Sequence, residues 1–127
     1  MDIAKQTEYW LTSSKEDWEV ATKLVKEGRI RHGLFFAHLA LEKVLKALVC
    51  QNTRDIAPRI HNLPRLSQIA GLPMNVEHTD VLADMNQFNI EGRYPEFHIA
   101  PPSQQEAQEY LNKSGEVLSW LTHQLST

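Results

Sequence analysis

Small and apolar residues along this chain recur at helical intervals, and nowhere does an alternation of period two run long enough for a strand. Ala4, Thr7, Leu11, Ser14, Trp18, Ala21 and Val25 follow one another at steps of three and four, which lines them up on one stripe of a long first helix. Gly28 ends it. From about His32 to Gln51 a second run is apolar nearly all round, with Phe35, Phe36, Leu39, Ala40, Leu41, Val44, Leu45, Leu48 and Val49. A helix greasy on every side is one surrounded by others, so this is the central helix. Its polar stripe is His38, Glu42 and Lys46, each four residues from the last, with Lys43 beside it. Glu42 before Lys46 is the favourable order for a solvated helical pair, so exposure to water accounts for the stripe; a place on the wall of a cleft is the functional alternative.

Beyond the central helix, Asn62 can cap a short helix in which Pro64 sits in the first turn, where a missing N–H costs little. Gly71 and Pro73 close that helix. A fourth is expected from about Thr79 to Glu91, with Val81, Leu82, Met85 and Phe88 on one face and Gly92 at its end. Ser103 followed three residues later by Glu106 is a capping box, and it opens a last helix whose apolar face is Ala107, Tyr110, Leu111, Val117, Leu118, Leu121 and Leu125. Residues 1–127 are therefore expected to form a single all-α domain, an up-and-down bundle of about five helices.

Composition narrows the partners. With 127 residues the chain can bury a sizeable core without a staple, and its lone cysteine, Cys50, lies in an apolar segment as a buried, inert thiol. A single cysteine suits a reducing compartment, and the N-terminal residues lack a signal-peptide pattern, so a cytoplasmic protein is expected. The longest apolar stretch, LFFAHLAL, is too short to span a bilayer. The formal net charge of −3 gives no global basic field for nucleic acid. Any contact with RNA must rest on a local patch, and residues 51–65 offer one, with Arg54, Arg59 and Arg65 against Asp55 alone. A solvated face is the plainer reading of that run.

Most familiar chemistry is missing. His78, Asp80 and Asp84 lie near one helix start, but no pair of histidines stands four apart and there is no cysteine cluster, so no metal site is expected. No nucleophile elbow appears, and the five glycines are isolated rather than gathered into a phosphate loop. His61 immediately precedes the cap Asn62, where packing or a hydrogen bond at the helix entry would explain it. Three times an arginine is followed, after four to six residues, by a histidine: Arg31 and His38, Arg54 and His61, Arg93 and His98. Spacing cannot choose among them. The third pair lies in GRYPEFH, where Pro95 breaks helical geometry and lets a loop fold the two side chains together. Guanidinium matches a phosphate bidentately and imidazole exchanges a proton near neutral pH, a combination suited to cleaving RNA through its own 2′-hydroxyl.

LALEKVLKALV on the central helix, RIHNLPRL after it and GRYP before the last helix together resemble the HEPN domain family, small helical domains often encoded beside a minimal nucleotidyltransferase. The resemblance runs from about residue 8 to 121. It implies a metal-independent endoribonuclease, often a toxin, acting as a homodimer without a cofactor. Arg93 and His98, with four residues between them and just ahead of the final helix, match the signature of active members. Each protomer would bring one such pair to a shared cleft, with Tyr94, His38, Glu42 and Lys46 as candidate substrate-binding residues. A tyrosine that other members carry two residues after the histidine is replaced here by Ala100. The resemblance equally allows a non-catalytic module that binds a minimal nucleotidyltransferase partner or a nucleotide.

Overall fold

A computed structural model describes residues 2–90 and 100–125. Five α-helices follow in order: α1 (Ile3–Lys26), α2 (Ile30–Thr53), α3 (Leu63–Ile69), α4 (Val76–Met85) and α5 (Gln104–His123), with a 3₁₀ turn over Asn86–Ile90 between the last two. No strand occurs among the described residues. The architecture is the all-α bundle that the apolar periodicity calls for.

α1 and α2 form an antiparallel hairpin. Residues paired across it rise along one helix as they fall along the other: Lys46 Nζ lies 5.2 Å from the centroid of the Trp10 ring, Ser14 Oγ donates to the Ala40 carbonyl at 2.7 Å, and Gly33 lies against Ala21 and Val25. At Gly33 the two helices approach closely, since a Cβ there would lie 2.5 Å from Val25 Cγ2 and 3.0 Å from the Val25 backbone nitrogen. α1 ends as the glycine signal predicts, with Gly28 at φ +82°. α2 runs two residues further at each end than the periodicity suggested and closes on Arg54, whose φ of 61° puts a non-glycine residue in the left-handed region.

α2 is the axis of the domain, touched by α1, α3, α4, α5 and the 3₁₀ turn. Leu34, Leu41, Leu45 and Leu48 on it are wholly removed from solvent, as are Leu63, Leu66, Leu82 and Leu121 from the surrounding helices. Each such side chain contributes about 1.5–3 kcal/mol relative to exposure, which is the main force closing the bundle. Side-chain amides tie the helix ends: Leu63 N–H donates to Asn86 Oδ1 at 2.9 Å, and Gln104 Nε2 donates to the Val25 carbonyl at 2.7 Å.

Caps set the shorter helices. Asn62 accepts from Arg65 N–H and opens α3, which Gly71 follows at φ +68°. At α5 both halves of the Ser103–Glu106 capping box form. The fourth helix departs from expectation at both ends. Asn75 caps it by accepting from His78 N–H at 2.7 Å, so it starts at Val76 rather than Thr79, and beyond Met85 the chain tightens into the 3₁₀ turn instead of continuing to Glu91. Met85 and Phe88 still reach the core. Gly92 lies outside the described residues.

Candidate functional site

The polar stripe of α2 is not solvated. His38, Glu42 and Lys46 are all buried, because α2 is enclosed by other elements on the side where an isolated helix would meet water. A carboxylate withdrawn from water costs several kcal/mol unless partners take the place of its hydration. Glu42 has them. Its Oε2 lies 3.0 Å from Lys46 Nζ, one helical turn along α2, and its Oε1 and Oε2 lie 3.0 and 3.1 Å from Nδ1 of His61. His38, one turn before, brings its Nδ1 to 3.9 Å from Glu42 Oε1.

The Lys46 ammonium is held a second way, 5.2 Å from the centroid of the Trp10 ring on α1. Beside this cluster, Lys43 Nζ joins Asp17 Oδ2 and Ser13 Oγ, both at 2.7 Å, so neighbouring lysines of α2 reach the same partner helix through different chemistry. His61 differs from the rest in being half exposed at its side chain, 50% against 5% for Glu42. A carboxylate only accepts, so Nδ1 of His61 carries the hydrogen and donates it, which leaves Nε2 as the ring's other polar atom. Nε2 has no hydrogen-bond partner among the described residues.

The chain thus brings together three of the residues expected from the sequence, His38, Glu42 and Lys46, and adds His61 from the α2–α3 connector. Arg93, Tyr94 and His98 lie outside the described residues, as does the rest of GRYPEFH. His61 was legible only as a neighbour of a helix cap, because no spacing rule links position 61 to position 42. Cys50 is buried, and burial pushes its thiol pKa up, in keeping with an inert role. Among the described residues no group of three or more histidines, cysteines, aspartates or glutamates is placed to hold a metal ion. No helix among them is long and apolar enough to cross a membrane.

An all-helical bundle built round one apolar helix, with a buried charged cluster opening onto an exposed imidazole, defines a class of small α-helical domain rather than an enzyme of known chemistry. Comparison narrows the class. The family model for the HEPN domain matches residues 7–124, and the chain belongs to that family. Two crystal structures share the fold: TT1696 from Thermus thermophilus (TM-score 0.78, 23% identity) and ST0689, an archaeal HEPN homologue (TM-score 0.75, 22% identity). Each alignment covers 94% of this chain and 98% of the other. No curated protein sequence matches the chain at a significant level.

Proposed function

We propose that this HEPN-domain protein is a metal-independent endoribonuclease, a toxin subunit of the cytoplasm, whose site is shared across a homodimer. The observation that carries the reading is the placement of Arg93 and His98, with four residues between them, shortly before the Ser103 cap of α5 in a chain that matches the HEPN family over residues 7–124. The buried charged cluster on α2 supports it, since a fold of this size keeps ionised groups in its interior at a cost in stability. His38, Glu42 and Lys46, with Tyr94, form the polar side of the substrate cleft in this proposal.

The chemistry is a transesterification. The imidazole of one His98 takes the proton of a ribose 2′-hydroxyl, whose oxygen attacks the adjacent phosphorus; the P–O5′ bond breaks and the leaving oxygen takes a proton from the imidazolium of the other His98. The products are a 2′,3′-cyclic phosphate and a 5′-hydroxyl. Arg93 donates to the non-bridging oxygens as their charge grows.

Purified protein is incubated with RNA in excess chelator beside Arg93→Ala and His98→Ala variants. Cleavage by the wild type and loss of at least about a hundredfold in rate in either variant is the expected result. Cutting that both variants retain rules out this site, and a monomer mass by light scattering at micromolar concentration rules out the shared cleft. The formal net charge of −3 favours a second reading, a non-catalytic module that binds a minimal nucleotidyltransferase partner or a nucleotide. That reading predicts no cleavage and a stable complex on co-expression with such a partner.

A further inference from the structure

The connector between α2 and α3, together with the first turn of α3, concentrates positive charge that carries no carboxylate partner among the described residues. Arg54, Arg59 and Arg65 are all exposed, and none has an ion pair among the described residues. Arg65 makes only a long approach to Gln68 Oε1 at 3.5 Å. Asp55, the one acid of this stretch, is turned back on the backbone, its Oδ1 accepting from Ile56 N–H at 2.8 Å. Lys43, Lys46 and Arg29 have carboxylate partners in Asp17, Glu42 and Glu27, and what sets this segment apart from the singly placed lysines of the other helices is three guanidiniums close together in the sequence with no such partner. A protein of net charge −3 that gathers three unmatched guanidiniums in twelve residues has a local field opposite in sign to its whole.

His61 lies in the middle of this run, and its ring is not free to turn. Glu42, buried and already paired with Lys46, fixes Nδ1 from below at 3.0 and 3.1 Å, so the opposite nitrogen, Nε2, is presented away from the cluster by a half-exposed side chain. An imidazole oriented by a carboxylate keeps one nitrogen for the protein and one for a ligand. Chain length alone keeps the Cα of Arg59 within about 7 Å and that of Arg65 within about 14 Å of His61.

We propose that His61, Arg59 and Arg65 form a phosphate subsite that takes one or two backbone phosphates of a single-stranded RNA. This deepens the ribonuclease reading and rests on it for the identity of the strand. Arg59 and Arg65 supply forked donors to non-bridging oxygens, and His61 in its imidazolium form donates Nε2–H to the same group. Of the titratable groups on α2, Glu42 meets the ring and is itself approached by Lys46 and His38; Asp55, Arg59 and Arg65 are those on the ring's own segment. Glu42 is a positioning residue here, since it acts through His61.

The test uses the full chain and two probes, inorganic phosphate and a single-stranded oligonucleotide carrying 2′-O-methyl groups so that it cannot be cut. Long-range ¹H–¹⁵N spectra of the histidine rings should show His61 keeping its hydrogen on Nδ1, with the Nε2 resonance shifting on addition of either probe. Arg59 and Arg65 are exposed and carry no ion pair, so the Arg59→Ala, Arg65→Ala double variant should fold as the wild type does. It should flatten the dependence of log K on log salt by about 0.7 if the arginines share one phosphate and by about 1.4 if they hold two, at about 0.7 for each single-strand phosphate no longer neutralised. His61→Asn should weaken oligonucleotide binding severalfold.

A bound oligonucleotide that leaves Nε2 of His61 unmoved and the salt slope of the double variant unchanged overturns the subsite. If such a protein still cuts RNA in a manner dependent on Arg93, the nuclease reading stands without it. Movement of Nε2 with phosphate but not with the oligonucleotide overturns the RNA assignment. Movement with both probes in a protein that cuts no RNA supports the subsite and removes the nuclease.

Discussion

Replacing Glu42 with glutamine preserves the size of the side chain and removes the charge around which the buried cluster is built. Lys46 is then left with an ammonium whose side chain is 7% exposed and whose only other described attraction is the Trp10 ring. Breaking a buried ion pair from one side costs about 3–5 kcal/mol, because the surviving charge is neither solvated nor paired. The amide oxygen can still accept from Lys46 or His61, which favours the lower end, about 3 kcal/mol. For a chain of this length each kcal/mol moves the midpoint by about 4 °C, so the melting temperature should fall by about 12 °C. Urea unfolding followed by circular dichroism should show a lowered midpoint with an unchanged slope, the sign of lost stability rather than a changed unfolded state. Replacing the pair together, Glu42→Leu with Lys46→Met, removes both charges and should recover most of the loss. A loss below about 1 kcal/mol in Glu42→Gln, or a double variant less stable than the single one, refutes the claim that these groups are energetically buried.

The helix hairpin and the caps give further checks. Gly33→Ala places a methyl group 2.5 Å from Val25 Cγ2 and 3.0 Å from the Val25 nitrogen; overpacking of about 1–3 kcal/mol less about 1 for the better helix former leaves about 0–2 kcal/mol, and the close approach to a backbone atom puts the expected loss at the upper end, so a melting temperature at or above wild type would show that α1 and α2 can part cheaply. Glu106 titrates below the usual carboxylate range, first because the Ser103 backbone N–H donates to it and second through the Ser103 hydroxyl. A lowered folded pKa supplies stability above the ordinary carboxylate value that is lost as pH falls through the lowered one; Ser103→Ala should therefore melt earlier at neutral pH, with a gap to wild type that narrows on acidification. The backbone N–H that lowers Glu106 most survives this substitution, so in an NMR titration Glu106 should move only part of the way back to the ordinary range, and a full return would contradict the backbone N–H as the first cause. The Cys50 thiol, buried and raised in pKa, should be silent to a thiol reagent in the native protein and react with one equivalent on unfolding; native reaction at the rate of a free thiol would refute its burial.

Much of this fold was written in local signals. The step of three and four along α1, the glycines at positions 28 and 71, the Asn62 cap with Pro64 behind it and the Ser103–Glu106 box all act within about one helical turn, so sequence carries them in full. The one misplaced element is instructive: Asn75 was a cap in plain sight before Val76, and the retreat of α4 into a 3₁₀ turn after Met85 left no periodic mark, since Met85 and Phe88 reach the core in either geometry. The candidate site was half legible. The four-residue steps from His38 to Glu42 to Lys46 place those side chains on one face, but they do not say what covers the face.

Sequence by itself determined the class of fold, the number of helices, the central place of α2 and membership of the HEPN family. It also supplied the pair Arg93 and His98 on which the nuclease proposal turns. Only the tertiary structure decided that the polar stripe of α2 is interior and that His61 reaches back across nineteen positions to Glu42. The reason is one of range. Propensity, capping and periodicity are free energies of neighbours along the chain, whereas the burial of a charge depends on which other helix arrives above it and with what partners.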